Sequence, residues 1–315
     1  MIVKRNFHPR RVWTYIRSQM LFVVFWAMLV WIVYALTGWA QLAINFTPVG
    51  VLGSALAIFV AFRNNSAYGR WWEARQIWGG IVNSSRVLAR LVITFADSHA
   101  HQDNYQEARS EAFKQEMVYK LIAWVHALRL HLRRQEEWEI LRPFLPETEW
   151  EILRSANNKP NFLQLIMGKR IYQAMADGTL GGFDSFQIEG QLLALANYQG
   201  SAERIKNTPL PRQYDYFTRV FVLLFAALLP FGLLGFFSTT PSPGYAFLIV
   251  PLSILIAGVF VIMERTGAAN EDPFENRVTD VPMTALCNTI ERDLREMLGE
   301  KKLPEALRPV EGYLY

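Results

Sequence analysis

Acidic and basic side chains are missing from two long stretches of this chain, and that absence excludes an ordinary globular fold. From Ser18 to Phe62 there is no Lys, Arg, Asp or Glu, and from Val220 to Met263 there is again none. Each stretch is about twice the roughly 20 residues that one helix needs to cross a hydrocarbon core, so each reads as a helical hairpin. That predicts four membrane spans. Cysteine is nearly absent too: Cys287 alone excludes an intrachain disulfide and any Cys-rich metal centre.

Catalytic signatures are also missing. The five histidines, His8, His99, His101, His126 and His131, form no HExxH pattern, and there is no Gly-rich phosphate cradle and no nucleophile elbow. No enzymatic function is expected. Asp97, His99, His101 and Asp103 cluster in one stretch, which reads as a solvated helix connection rather than a metal site. The formal net charge of +4 is accounted for by the topology signal below, so it gives no argument for nucleic acid.

Hydrophobic residues make up 51% of the 315 residues and ten are Trp, a composition skewed toward lipid contact. Lys4, Arg5, Arg10, Arg11 and Arg17 precede the first span, Arg63, Arg70 and Arg75 follow the second, and Arg212 and Arg219 precede the third. The short turns at Gly38 to Pro48 and Ser238 to Gly244 carry no charge. The positive-inside rule then places both termini and the long middle segment in the cytoplasm. A secretory signal peptide is the competing reading of the N-terminus, but the apolar run from Met20 to Leu36 is too long for one and leads into a second span.

The expected spans are Met20 to Leu36, a second beginning near Pro48, Val220 to Phe236, and Tyr245 to Met263. Trp26, Trp31 and Trp39 are candidate interfacial anchors. The second span does not stop at Phe62, because a helical pattern persists toward Ala96 as one long helix or several stacked pieces. Four segments follow: 1–96 with spans one and two, 97–211 as a helical region, 212–264 with spans three and four, and 265–315 as a C-terminal segment.

Within 97–211, Met117, Leu121, Trp124, Val125, Leu128 and Leu132 fall on one helical face. Thr148-Glu149-Trp150-Glu151 reads as a capping box, and Asp184-Ser185-Phe186-Gln187 as a similar start after the break at Gly181-Gly182. A last helix is expected to open near Asp280 and Pro282, bury Met283, Leu286, Ile290, Leu294 and Met297, and close at Gly299.

The second span is the informative one. Ser54, Ile58 and Phe62 share a helix face, and Gly53, Ala57 and Ala61 form an adjacent row of small residues suited to close helix packing. By default such an uncharged face meets lipid or is buried; pore lining is the sharper reading. The run Arg63-Asn64-Asn65-Ser66 and Arg70-Trp71-Trp72-Glu73 is either a juxtamembrane belt or the wall of a wet vestibule. Asn270-Glu271-Asp272-Pro273-Phe274 with Asp280 is a turn and cap rather than a divalent site, since Arg277 sits among the carboxylates.

The run from Phe62 through Arg63-Asn64-Asn65-Ser66-Ala67-Tyr68-Gly69-Arg70-Trp71-Trp72-Glu73-Ala74-Arg75, then Glu203-Arg204-Ile205 with Thr208-Pro209-Leu210-Pro211 and Tyr214, and finally Glu271-Asp272-Pro273-Phe274 with Asp280-Val281-Pro282, resembles the bacterial branch of the bestrophin family. The resemblance implies an all-α integral membrane protein assembled as a homopentameric ion channel, with four spans and a helical cytoplasmic domain per subunit. It places the pore neck at Ser54, Ile58 and Phe62, with Ser54 smaller than the bulky residue usual there. Arg63, Asn64, Asn65, Ser66 and Arg70 fall at the inner mouth.

A lower constriction falls on Ile188, with Gln191 and Leu192 as alternatives. Calcium gating is not expected, because Arg277 stands where a family acidic ligand would be and Glu275 replaces a glycine. No cofactor is implied. The expected partners are identical subunits, permeant monovalent ions and the lipid of a bacterial inner membrane. Bacterial relatives favour a cation, sodium first; an anion channel of the same architecture, with Arg63 and Arg70 supplying positive potential, and a non-conducting scaffold are the alternatives.

Overall fold

The computed structural model describes residues 1–4, 9–98, 100–101, 103, 105–238 and 243–315. Among these residues the secondary structure is helical, with only isolated β-bridges at Ile2–Tyr313 and Val310–Tyr313. The helices are α1 (Pro9–Thr37), α2 (Phe46–Ala96), α3 (Glu107–Arg133), α4 (Glu147–Arg154), α5 (Lys159–Ala176), α6 (Gly182–Asn207), α7 (Arg212–Ser238), α8 (Ile249–Asn270) and α9 (Met283–Met297). Short 3-10 turns at Ala40–Leu42, Trp138–Phe144 and Pro243–Leu248 connect them. The helical pattern past Phe62 is one continuous helix: α2 has 51 residues, about 75 Å at 1.5 Å per residue.

The chain forms two compact units. One comprises 4–71 and 209–272, and the other comprises 1–3, 72–208 and 273–315. The first holds α1, the beginning of α2, α7 and α8, and all four are long and apolar enough to cross a membrane. Its core is aliphatic and aromatic: Val23, Val49, Leu56, Val60, Phe225, Leu229, Ile249 and Val261 are all buried. Much of its apolar surface is nevertheless exposed, for example Phe25, Leu36, Leu255 and Val259, as expected where the solvent is lipid tails.

Local chemistry explains several details. Gly53 packs face to face with Phe225, 2.8 Å from where a Cβ would stand, whereas Ala57 and Ala61 are exposed. The expected row of small residues therefore divides. Trp26, a candidate interfacial anchor, donates its indole N–H to Ala227 O at 2.9 Å and so ties α1 to α7. The loop residues 239–242 lie outside the described residues, so the second outer turn is described only in part.

In the second unit the expected α3 face is buried as a whole, around Trp78, Trp124 and Trp150. Two predicted helix starts are corrected. Helix α4 begins at Glu147 with Pro146 as its cap, so Thr148 lies inside the first turn and caps nothing; proline's fixed φ already suits that entry. Helix α6 begins at Gly182, and the Asp184 carboxylate reaches back to accept the Gly181 N–H at 3.0 Å. Asp184 thus serves as the third helical residue rather than the cap.

The last helix, α9, begins at Met283 after Pro282, and Asp280 closes the preceding turn by accepting the Arg277 N–H at 3.0 Å. Met283, Ile290 and Leu294 are buried as expected, Cys287 joins them, and Met297 is exposed. Gly299, at φ 79°, donates to Glu296 O while Glu300 donates to Arg295 O, a left-handed helix stop that favours glycine.

Candidate functional site

The predicted neck residues sit on one exposed stripe of α2. Val51, Ser54, Ile58 and Phe62 lie at helical spacing, and Ile58 and Phe62 are 61% and 71% exposed. No residue of the subunit's core covers them, and none carries charge. Ser54 Oγ donates to Gly50 O at 3.0 Å, and Ser66 Oγ donates to Phe62 O at 3.1 Å. Both hydroxyls therefore spend their proton on the helix backbone and present lone pairs outward. Asn65 continues the exposed stripe.

Arg63 and Asn64, placed at an inner mouth by the sequence, face the other way. Arg63 is 4% exposed, ion-paired through Nη2 with Asp215 of α7 and lying 3.5 Å from Glu271 Oε2. Its Nη1 donates to Glu264 O of α8 at 2.9 Å. Asn64 Nδ2 donates to Met263 O at 3.0 Å. One residue's step around a helix is about 100°, so a side chain next to exposed Phe62 is turned into the helix cluster. There a guanidinium is stable only if paired, and Asp215 and Glu271 offset its charge locally.

Around this cation the acceptors outnumber the donors. Glu264, Glu271 and Asn64 each keep a buried oxygen without a hydrogen-bond donor. Burial pushes the Glu271 carboxyl above its ordinary range, and neighbouring Asp272 and Asp215 add to this while Arg63 and Arg212 oppose it. Arg70 is half-buried and donates from Nε to Glu271 O at 2.8 Å. Phe62 also borders a cavity of about 420 Å³ lined by Phe59, Arg63, Ser66, Leu210, Pro211 and Tyr214.

Ile188 lies in the core of the other unit with 0% exposure, and alternative Leu192 is buried as well. A side chain packed on all sides lines no pathway while that core is intact. The exposed apolar residues near the start of α6 are Phe183 and Phe186, at 71% and 72%. An amphipathic count along the segment, with Asp184 and Ser185 set inward, would have found them. Gln191 is half-buried.

In the acidic stretch after α8, the Asp280 carboxylate accepts the Arg277 N–H at 3.0 Å. Among the described residues no three His, Cys, Asp or Glu side chains form a group that could hold an ion. Glu275 pairs with Lys206 at 2.6 Å. Of the other candidate cluster, Asp97 is taken by Lys114, Ser110 and Tyr105, and His99 lies outside the described residues, as does His8.

These features define an all-α integral membrane protein with four apolar helices in one unit and a helical second unit. Known proteins share this arrangement. A profile described as bacterial/fungal bestrophin protein matches residues 6–296. Voltage-dependent anion channel-forming protein YneE of Escherichia coli (strain K12) is 32% identical over 286 residues, covering 90% of this chain and 87% of its own length. Voltage-dependent anion channel-forming protein RSc3414 of Ralstonia nicotianae is 32% identical, with 84% and 82% covered. The crystal structure of a bacterial bestrophin homolog from Klebsiella pneumoniae superposes with a TM-score of 0.80 at 30% identity, covering 91% of this chain and 100% of that one. The chain belongs to the bacterial and fungal bestrophin family.

Proposed function

We propose that the chain is one subunit of a homopentameric ion channel in a bacterial inner membrane, with both termini cytoplasmic, and that it conducts anions. The reading rests on the uncharged, uncovered stripe of α2 formed by Ser54, Ile58 and Phe62. Rings of these residues around a symmetry axis make a narrow apolar neck, which holds water poorly and gates by dewetting. The anion preference follows the names of the similar Escherichia and Ralstonia proteins and replaces sodium, which the family resemblance had implied. A second constriction belongs to exposed Phe183 and Phe186 rather than to Ile188.

One observation keeps the cation reading as the second. Arg63, the nearest positive charge to the neck, is neutralised within the subunit, and the Ser54 and Ser66 hydroxyls point their protons at the backbone. The discriminating experiment is the reversal potential of purified protein in a planar bilayer under a sodium chloride gradient. A value near the chloride potential supports the anion channel, and one near the sodium potential refutes it. Ile58→Ala should raise the conductance of the assembled oligomer several-fold; no rise would remove Ile58 from the neck. No current in either protein would favour a scaffold.

A further inference from the structure

We propose that Arg63 is a positioning residue for the gate: its buried guanidinium locks α2 to α7 and α8 and so fixes the direction in which Phe62 points. The functional consequence rests on the channel reading above; the lock itself does not. Its anchors are the ion pair to Asp215, the 3.5 Å approach to Glu271 Oε2, and the bond to Glu264 O at 2.9 Å. Asn64 Nδ2 to Met263 O, and Arg70 Nε to Glu271 O, hold the same face. These contacts join two helices that are far from α2 in sequence to one short stretch directly below the proposed neck.

Geometry gives the lock its effect. Phe62 and Arg63 are consecutive, so the azimuth of one sets that of the other. Rotating α2 by about 30° carries a group roughly 6 Å from the axis through about 3 Å, the full length of a hydrogen bond. Every anchor would break together. Rotation is not relieved by slack in α8 either: a Cβ on Gly267 would stand 1.9 Å from Asn64 Oδ1 and 2.8 Å from Arg63 Nη1, so the two helices are in contact at this level. A guanidinium that leaves its partners would leave Asp215 only the half-exposed Arg219 at 3.3 Å, and buried Glu271 only the exposed Arg212 at 3.8 Å, which disfavours the rotated state further.

The test uses Phe62→Cys in the full-length, assembled protein. The one native thiol, Cys287, is fully buried and pushed up to about 12, so a water-soluble maleimide reads position 62. Its labelling rate is compared between this background and one carrying Arg63→Gln with Asp215→Asn, which removes one charge of each sign. The expected result is a rate change of about threefold or more, the scale of coupling between neighbouring residues. Arg63→Lys, which keeps the charge and part of the reach, should bring the rate back toward the parent.

Equal rates in locked and unlocked backgrounds overturn the proposal. If the double substitution fails to assemble, Asp215→Asn alone, which removes the ion pair to the guanidinium, is read in the same way. Conductance supplies a second readout. Phe62→Ala should raise current in the wild type and have little further effect once the lock is removed; an equal rise in both backgrounds overturns it. A protein without current at any position refutes the channel reading alone, and the labelling rates still decide the lock.

Discussion

Gly267→Ala should destabilise the membrane-spanning unit by about 1–3 kcal/mol, the cost of forcing one methyl group into a packed site. The added Cβ would lie 1.9 Å from Asn64 Oδ1 and 2.8 Å from Arg63 Nη1, both too close to keep. Asn64 must turn away, and its bond to Met263 O, about 1 kcal/mol net, goes with it. Arg63 needs only a few tenths of an ångström, so most of the cost resides in Asn64. Asn64→Ala alone should therefore cost about 1 kcal/mol.

Gly267→Ala in the Asn64→Ala background should then add little, giving an interaction energy of about 1–2 kcal/mol in a double-mutant cycle. Unfolding of the detergent-solubilised oligomer, compared across the four proteins in one detergent, measures it. Strictly additive costs would refute the reasoning, because they would mean that the methyl group and the Asn64 side chain do not compete for one space. A cost near zero for Gly267→Ala would do the same.

Ile188→Ala should destabilise the second unit by about 2–5 kcal/mol, as a cavity in its core does, without altering the ion selectivity of protein that still assembles. Burial pushes the Glu291 carboxyl up, but hydrogen bonds and charge from His126 and Arg295 outweigh it and hold the group below its usual 4.5. A depressed acid stabilises the fold above its unfolded value and loses that contribution as pH falls, so melting below about pH 4.5 should drop more steeply in wild type than in Glu291→Gln. Cys287, buried and pushed up to about 12, should resist maleimide at neutral pH until the protein is denatured; fast labelling of the native protein would contradict its place in the core.

Span number and helix type were legible because the hydrocarbon core imposes a length and forbids unpaired charge, and both constraints are written locally. The α3 face was legible for the same reason: its 3.6-residue period is a property of consecutive residues. That Ser54, Ile58 and Phe62 share one face followed from spacing along one helix, whereas its exposure did not. Helix starts at Glu147 and Gly182 were missed by two and three residues, because Pro146 and Gly181 occupy the cap positions and Asp184 reaches back to the Gly181 N–H from inside the first turn.

What the sequence determined by itself is an all-helical chain with four apolar spans, a long second helix and one uncharged face on it. Only the tertiary structure decided where Arg63, Asn64 and Ile188 point. Arg63 carries the same charge whether it lines a wet mouth or pairs inside a helix cluster, and nothing in its neighbours along the chain says which. Its partners, Asp215, Glu264 and Glu271, lie at least 152 residues away. Ile188 likewise suits a constriction or a core equally well. The choice is made by helices brought together from distant parts of the chain, where burial requires a partner for each charge and a close-packed surround for each apolar group.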